Sequence, residues 1–245
     1  MRRVTGRQSG ERPPLPEGRP LLPAAVRPLA AALLAICVAV AGTLGVWFAH
    51  QTRPSWLDTA VDSRLHASLG VHPAMLDLLV GLGNPTSVTE MTAALVLGCL
   101  ATRRWRAALL AAVAVSAAAA STELVLKPLI DRRLLGGLSF PSGHTTGAVA
   151  LACSVAVLLI DPVRPRRPAA WRLLLTVIVL GTAAAVAVAL VSLGLHYFTD
   201  TVGGAAVAAA VVLATALVLD WLSLRADARP GWTSGAIPTV SGRRS

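Results

Sequence analysis

Hydrophobic residues dominate five long stretches of the chain and leave short polar connections between them. The stretches are 29–48, 107–126, 145–160, 173–193 and 202–219. Because about 20 apolar residues in a helix cross the ~30 Å hydrocarbon core of a membrane, each stretch predicts a transmembrane helix. A sixth and weaker stretch, 86–101, is interrupted by Glu90 but is strongly apolar after it. The pattern therefore predicts an all-α polytopic membrane bundle with six transmembrane helices.

Shorter features divide the rest of the chain. Residues 75–82 are apolar but too few to span a membrane, and Gly83-Asn84-Pro85 separates them from the next stretch. We therefore expect an interfacial segment that ends in a turn. The two ends, 1–28 and 221–245, are polar and carry no pattern that could bury a core. They are predicted to be flexible tails on either side of a membrane domain over 29–220.

Composition agrees with an integral membrane protein. Of the 245 residues, 55% are hydrophobic and 14% are charged, and the mean hydropathy is +0.66. Soluble domains carry roughly 25% charged residues, so this chain lacks the polar surface that a soluble domain needs. The apolar content excludes a disordered protein, and three cysteines in this length exclude a disulfide-rich secreted scaffold.

Basic residues are distributed unequally between the two sides of the predicted bundle. Of the 22 Arg and Lys residues, five fall on one side, and the remaining 17 fall in the tails and in the connections on the other. Because cytoplasmic loops carry the excess of Arg and Lys, the 17-rich side is predicted to be cytoplasmic, with both termini inside. This asymmetry accounts for the net charge of +10. The sequence has no nucleic-acid recognition module, so no nucleic-acid partner is expected.

The other side carries a cluster of chemically useful residues. Its basic residues are Arg53, Arg64, Lys127, Arg132 and Arg133. The last three lie within seven positions, and Lys127 is the only lysine of the chain, which indicates a specific need for a compact ammonium group. The same connection continues through Pro141-Ser142-Gly143-His144 into the next predicted helix. Two crossings later, His196 and Asp200 return to this side.

These residue types suit phosphoryl transfer. His196 and Asp200 are four positions apart, so in a helix they share a face, and the carboxylate can fix the tautomer of the imidazole. Ser142 and Gly143 precede a predicted helix, where free N–H groups and the helix dipole favour an anion. Two histidines, an orienting carboxylate, an anion-binding helix start and three nearby cations predict a phosphoryl-transfer site.

Three segments resemble the signature motifs of the type-2 phosphatidic acid phosphatase superfamily, which shares its site with vanadium haloperoxidases. They are residues 127–133, Phe140-Pro-Ser-Gly-His144 and Gly194-Leu-His-Tyr-Phe-Thr-Asp200. The Pro-Ser-Gly-His block is the most specific of the three, and the His-x-x-x-Asp block follows it at the right distance. The resemblance covers roughly residues 86–219, and the six-span layout fits the membrane branch of the superfamily.

The resemblance implies a role for each site residue. His196 would be the nucleophile that forms a phosphohistidine, Asp200 would orient it, and His144 would protonate the leaving oxygen. The phosphate oxygens would be held by Lys127, Ser142, Gly143 and the arginines Arg132 and Arg133. No metal and no cofactor is expected, because fixed cations take the place that Mg²⁺ has in other phosphoryl-transfer sites.

The sequence departs from the family pattern at two positions. The first motif normally has an arginine seven positions after the lysine, where this chain has Leu134. The third motif normally has an arginine six positions before the histidine, where this chain has Leu190. Since one oxyanion donor is typically worth ~10²–10³ in rate, we expect the neighbouring Arg132 and Arg133 to compensate by both reaching the phosphate.

The expected protein is a metal-independent phosphatase of a lipid phosphate or diphosphate. Its substrate would be a polyprenyl phosphate or diphosphate, phosphatidic acid or phosphatidylglycerophosphate. The Arg and Ala usage is typical of a GC-rich bacterial genome, which favours the polyprenyl carriers. The predicted location is the bacterial cell membrane, with the site on the outer face. Two alternatives remain open, namely a lipid phosphotransferase with the same residues and a non-catalytic protein that binds a lipid phosphate.

Overall fold

The structure is a computed structural model that describes residues 20–160 and 168–227. Its helices, in chain order, are α1 (Arg27–Trp47), α2 (Trp56–Leu69), α3 (Pro73–Gly83), α4 (Pro85–Ala101), α5 (Trp105–Ala120), a π-helical segment (Ser121–Leu126), α6 (Lys127–Ile130), α7 (Gly143–Ile160), α8 (Ala169–Ser192) and α9 (Phe198–Asp227). Two strands of two residues each, β1 (Arg133–Leu134) and β2 (Gly137–Leu138), form a hairpin between α6 and α7. The all-α prediction is therefore confirmed.

Five helical stretches of the described residues are long and apolar enough to cross a membrane. They are Arg27–Trp47, Trp105–Ile130, Gly143–Ile160, Ala169–Ser192 and Phe198–Arg225. They match the five strong stretches of the sequence, so the prediction of a multi-pass membrane bundle is confirmed. The count of six is not: the weaker stretch 86–101 lies in α4, whose 17 residues make a helix of about 26 Å. Helix α4 is therefore one of the shorter apolar helices, at the lower end of the lengths that cross a membrane.

Two helices between α1 and α4 support the end of the bundle where α9 begins. The predicted interfacial segment 75–82 is helix α3, which ends at Gly83 just before Pro85 starts α4. Helix α2 was not predicted, because its apolar residues follow no continuous stripe. A capping box starts α2: the Ser55 side chain accepts the Asp58 N–H, and the Asp58 side chain accepts the Ser55 N–H. Helix α2 packs against α8 and α9.

Small residues let the long helices approach closely. Helix α9 packs against α1, α5 and α7, and α7 also packs against α8. Fully buried alanines lie at these contacts, namely Ala111, Ala114, Ala118, Ala150, Ala208 and Ala216. In a membrane the hydrophobic effect does not drive helices together, so close van der Waals contact between small residues holds the bundle.

The contact between α7 and α9 depends on Gly204. A Cβ at this glycine would lie 2.6 Å from the Ser142 carbonyl oxygen and 3.0 Å from Thr146 Oγ1. Because backbone cannot move aside as a side-chain tip can, we expect Gly204→Ala to destabilise the fold by roughly 1–3 kcal/mol. Gly181→Ala on α8 is the matched control, since no described atom lies within 4 Å of its Cβ. Thermal unfolding in detergent measures both variants, and an unchanged Tm for Gly204→Ala would contradict this prediction.

The helical bundle includes the inner parts of both predicted tails. The Leu21 and Leu22 backbone N–H groups donate to the Asp220 carboxylate at 2.6 and 2.9 Å, and both leucine side chains are buried. At the other end of the chain, α9 continues to Asp227, past the predicted start of the C-terminal tail. The rest of both tails and three arginines of the connection between α7 and α8 lie outside the described residues, at 1–19, 161–167 and 228–245.

A π-helical segment and the hairpin place residues 127–142 at one end of the bundle. The π-helical segment widens the helix just before Lys127, and such irregularities are frequent at functional sites. Helix α6 then ends at Asp131, whose φ of 49° is left-handed. The two residues of the hairpin loop, Leu135 and Gly136, have φ of 52° and 82°, as a type I′ turn requires. The chain therefore reverses tightly and enters α7 next to the start of α9.

Candidate active site

Three segments meet where α7 and α9 begin. They are the end of the α5–α6 helix with Lys127, the start of α7, and the loop and first turn of α9 at residues 196–200. The Ser142 N–H donates to the Asp200 carbonyl oxygen at 3.0 Å. One turn into α7, Thr146 Oγ1 lies 3.3 Å from the Gly204 carbonyl oxygen. Direct contacts between α7 and α9 thus bring together motifs that are far apart in sequence.

His196 and Asp200 form a buried pair. His196 lies in the loop before α9, and Asp200 lies in the first turn of that helix. The His196 Nδ1 atom is 3.6 Å from Asp200 Oδ2, and the two side chains are 10% and 0% exposed. Asp200 Oδ2 also accepts the Tyr197 N–H at 3.2 Å, which fixes the carboxylate beside the loop. At this distance Nδ1 makes no hydrogen bond to the carboxylate. The nearby negative charge still favours a proton on Nδ1, which leaves a lone pair on Nε2, as a nucleophilic imidazole requires.

His144 is the second residue of α7 and lies close to this pair. It is near enough to His196, Lys127 and Glu123 to interact electrostatically with all three. Gly83, at the end of α3, packs directly behind it, because a Cβ at position 83 would lie 3.5 Å from the His144 Cβ. The structure therefore places a second imidazole near the first, held from behind by α3.

The start of α7 lies next to Lys127. Ser142 precedes the helix, its Oγ lies 3.4 Å from the Thr145 N–H, and Gly143 begins the first turn. The Lys127 ammonium is 2.9 Å from Glu123, four residues earlier. A Cβ at Gly143 would overlap Glu123 Oε1 and lie 3.6 Å from Lys127 Nζ. The Glu123 carboxylate thus occupies the space between the lysine and the helix start, where a phosphate would find a cation and free N–H groups.

Arg132 lies in a fully buried ion-pair network. Its Nη1 atom donates to Asp200 Oδ1 at 2.6 Å and to Thr199 Oγ1 at 2.7 Å. Its Nη2 atom donates to Asp58 Oδ2 at 2.7 Å. The side chain has no exposed surface. Arg132 therefore lies behind Asp200, with its guanidinium bound to two carboxylates. This position differs from the expectation that Arg132 contacts the phosphate.

Arg133 and the two leucines at the family's arginine positions lie in different environments. Arg133 is in β1, its side chain is 52% exposed, and it pairs with Asp131 at 2.9 Å. Leu134 follows it in the hairpin and is partly buried. Leu190 is fully buried in α8. An apolar side chain at 190 packs in the bundle, and Arg133 is the one of the two neighbouring arginines that keeps solvent access.

Sequence reasoning missed two carboxylates of α2. Asp58 Oδ1 accepts the Thr199 N–H at 2.9 Å, and Asp62 Oδ1 accepts the Phe198 N–H at 3.1 Å. Together they cap the helix that carries Asp200, because the first N–H groups of a helix have no partners within it. The Ser-x-x-Asp pattern at 55–58 and the four-residue spacing of the aspartates were the available signals. Neither indicates which helix they would cap.

The two α2 carboxylates differ in proton affinity. Burial alone would raise the pKa of Asp58, but hydrogen bonds from the Thr199 and Ser55 amides and from Arg132 outweigh it and hold the pKa below its usual value. Burial raises the pKa of Asp62 to about 6, and the neighbouring charges of Asp58 and Asp200 add to this effect. Asp58 therefore favours its charged form more than an ordinary aspartate does, and Asp62 titrates in the mildly acidic range.

Comparisons with known proteins agree with the motifs. Residues 121–223 match the profile of the PAP2 superfamily. The fold is similar to that of the first transmembrane PAP2-type phosphatidylglycerolphosphate phosphatase from Bacillus subtilis, with a TM-score of 0.56 and 18% sequence identity over 81% of this chain and 95% of that one. No curated protein gives a significant match. The resemblance seen in the three motifs is therefore confirmed: residues 121–223 carry the PAP2 superfamily pattern, on the fold of a transmembrane PAP2 protein.

Proposed function

We propose that this protein is a membrane phosphatase of a lipid phosphate or diphosphate. The observation that carries the proposal is the meeting of the buried His196–Asp200 pair with His144 and Lys127 at the start of α7, in a bundle built from apolar spans. A nucleophile with an orienting carboxylate, a second imidazole for proton transfer and an anion-binding corner are the parts that phosphoryl transfer needs.

In the proposed reaction, the lone pair of His196 Nε2 attacks phosphorus, and a P–N bond forms as the P–O bond to the lipid breaks. His144 donates a proton to the leaving oxygen. Water then attacks the phosphohistidine, His144 takes a proton from that water, and the P–N bond breaks to release phosphate. Asp200 stabilises the positive imidazole while the P–N bond exists. This route uses only side chains and backbone, and needs neither metal nor cofactor.

The phosphate oxygens are proposed to bind at the corner between α6 and α7. Lys127 supplies a positive charge, and the Ser142 hydroxyl and Gly143 N–H supply hydrogen bonds at a helix start. Arg133 is proposed as an additional contact, because half of its side chain is exposed at the same end of the bundle. Its partner Asp131 lies on the surface with it, so solvent screens their pairing.

An apolar groove supports a substrate with a hydrocarbon chain. The groove has a volume of about 510 Å³ and lies between α1, the π-helical segment and α9. Leu126 and Ile130, on either side of the Lys127 turn, line it. A polyprenyl or acyl chain in the groove would hold its phosphate near the lysine. We further propose that the site faces the outside of a bacterial cell membrane with both termini in the cytoplasm, as the distribution of basic residues supports.

The test is phosphate release by the detergent-purified protein in the presence of EDTA. The panel comprises a polyprenyl diphosphate, a polyprenyl phosphate, phosphatidic acid and phosphatidylglycerophosphate, each with and without a primary alcohol as acceptor. We expect phosphate release from at least one lipid, and the ranking identifies the substrate class. Phosphorylated alcohol as the main product would instead indicate a phosphotransferase with the same site.

A non-catalytic lipid-phosphate-binding protein is the second candidate. It is favoured by Leu134 and Leu190, which stand where the family has arginines that bind phosphate. The same panel decides between the two functions, provided that binding of each lipid is measured in parallel. Binding without release of phosphate or transfer to the alcohol, by protein with an unchanged Tm, would favour this candidate over the phosphatase.

Glu123→Gln is expected to strengthen the binding of inorganic phosphate several-fold. The Glu123 carboxylate pairs with Lys127 beside Gly143, so it competes with any anion for the same cation. The amide keeps the size of the side chain and removes the competing charge. Product inhibition by phosphate measures the effect, and Glu90→Gln on α4 is the control. Weaker phosphate inhibition in Glu123→Gln would show instead that Glu123 is needed to hold Lys127 in place.

A further inference from the structure

Asp58 and Arg132 form a buried ion pair directly behind Asp200. The guanidinium lies between the two carboxylates, at 2.7 Å from Asp58 and 2.6 Å from Asp200, and all three side chains are 0% exposed. The other Asp58 oxygen accepts the Thr199 N–H at the start of α9. A continuous set of polar contacts therefore runs from α2 through Arg132, the residue before β1, to Asp200, which lies beside the Nδ1 atom of His196.

Aromatic rings close this network on both sides. The Arg132 guanidinium lies 3.9 Å from the Phe48 ring centroid and 4.5 Å from that of Tyr197. Phe48 in turn packs against Phe140, with their centroids 6.3 Å apart. With water kept away, the interactions between the three charges are screened less than at a surface. A change in any one of these charges is therefore expected to change the electrostatic potential at the His196 imidazole.

We propose that Asp58 and Arg132 are positioning residues that hold Asp200 and set the basicity of the His196 imidazole. This inference rests on the proposed function, in which His196 is the nucleophile. Arg132 fixes Asp200 through a charged hydrogen bond, and α2 holds Arg132 through Asp58. The role replaces the contact with phosphate that the sequence suggested for Arg132.

The balance of charge explains why two carboxylates share one arginine. Arg132 alone would neutralise Asp200, and His196 would then lose the negative charge that favours its imidazolium form. Asp58 restores that charge, so the group of three has a net charge of −1, as a lone aspartate would. Asp200 is thereby fixed in place by a cation without ceasing to act as an anion toward His196.

Other charged or titratable groups also face this region, from several elements. They are Glu123, Lys127, His144, Tyr197 and Asp62. Asp62 needs a control of its own, because burial raises its pKa to about 6 and its titration falls in the range where an imidazole titrates. Asp62→Asn removes that titration and keeps an oxygen to accept the Phe198 N–H.

The test compares pH–rate profiles of kcat/KM for Asp58→Asn, Arg132→Gln and the double variant. The acid limb of the profile is the loss of rate at low pH, where protonation of His196 removes the nucleophile. Asp58→Asn leaves the positive charge of Arg132 unbalanced, so this limb is expected to move to lower pH by roughly half to one unit. Arg132→Gln leaves two unbalanced carboxylates, so the limb is expected to move up by a similar amount. The double variant restores a single negative charge and is expected to return the limb close to its original pH. Ser55→Ala, which removes the α2 cap and the hydroxyl that donates to Asp58 Oδ2 but keeps the Asp58 charge, is expected not to move it.

Shifts of opposite sign that cancel in the double variant support the proposal. Loss of kcat with an unmoved acid limb in Asp58→Asn overturns it, because a merely structural role would lower activity without changing the titration of His196. If Arg132→Gln does not fold in detergent, Asp58→Asn and the double variant decide by the same criterion.

A second readout separates this inference from the proposed function. NMR titration of histidine-labelled protein follows the imidazole of His196 directly, with the resonance assigned from a His196→Asn sample. A protein that releases no phosphate from any lipid refutes the proposed phosphatase but leaves this titration measurable. A His196 pKa that falls in Asp58→Asn then supports the electrostatic coupling, and one that stays unchanged overturns it.

Discussion

Replacement of His196 by Ala is expected to lower the rate of phosphate release by roughly 10⁴-fold or more, because it removes the proposed nucleophile. The imidazole lies beside a fully buried carboxylate, so little else at this position could attack phosphorus. His196 lies in the loop before α9 and is only 9% exposed, so the truncation leaves a cavity and is expected to lower the Tm in detergent. The variant should still be folded at the assay temperature, so the loss of rate reports the loss of the nucleophile.

The measurement is phosphate release under EDTA together with a quench in SDS at alkaline pH, which stops the reaction and preserves covalent phosphate on histidine. The parent protein should retain labelled phosphate on a residue whose linkage is acid-labile and base-stable, as a phosphoramidate is, whereas His196→Ala should retain none. His72→Ala is the control, since His72 is an exposed residue outside the site. Residual turnover of His196→Ala within tenfold of the parent would refute the phosphohistidine route.

Replacement of His144 by Ala is expected to lower the rate on a lipid phosphate by about 10²–10⁴-fold, the usual contribution of a general acid. The loss should depend on the leaving group. An alkoxide leaves poorly without a proton, whereas a nitrophenolate leaves readily. With an aryl phosphate ester as substrate, the variant should therefore lose much less activity in the step that breaks the P–O bond.

The comparison of the two substrates separates proton donation from simple positioning. His50→Asn is the control, because His50 is an exposed histidine near the same end of the bundle and asparagine tolerates its φ of 60°. An equal loss on the aryl and lipid substrates would show that His144 acts by holding the phosphate or the helix start. A loss confined to the lipid substrate would support its role as the acid.

Much of the fold was predictable because the signals for it are local. The length of an apolar run reports whether a helix can cross a membrane, and five of the six predicted spans have that length in the structure. The sixth lies in α4, a shorter apolar helix of 17 residues, so the count of six is not confirmed. Helix α2 was missed because its apolar residues do not form a stripe, and it is held in place by caps and by contacts with α8 and α9.

The candidate site likewise has contacts that local spacing predicts and contacts that only the fold determines. His196 and Asp200 are four residues apart, so their pairing could be predicted from spacing alone. The pairing of Glu123 with Lys127 has the same spacing. The hairpin was not predicted, because Leu135 adopts a left-handed φ that the sequence gives little reason to expect of leucine. That turn sets the path by which the chain places Arg132 inside the bundle.

What the sequence by itself determined is the class of protein and the chemistry available to it. Apolar runs dictate a membrane bundle, and the three motifs supply imidazoles, a carboxylate and a lysine. Only the tertiary structure decided the partners of Arg132, because a charged residue in a sequence does not indicate which distant residues it will contact. Its contacts join residues 74 and 68 positions away, and burial requires that such a cation meet an anion wherever the fold provides one. The fold provides Asp58 and Asp200 as these anions, and the two contacts place Arg132 behind the proposed catalytic pair of His196 and Asp200.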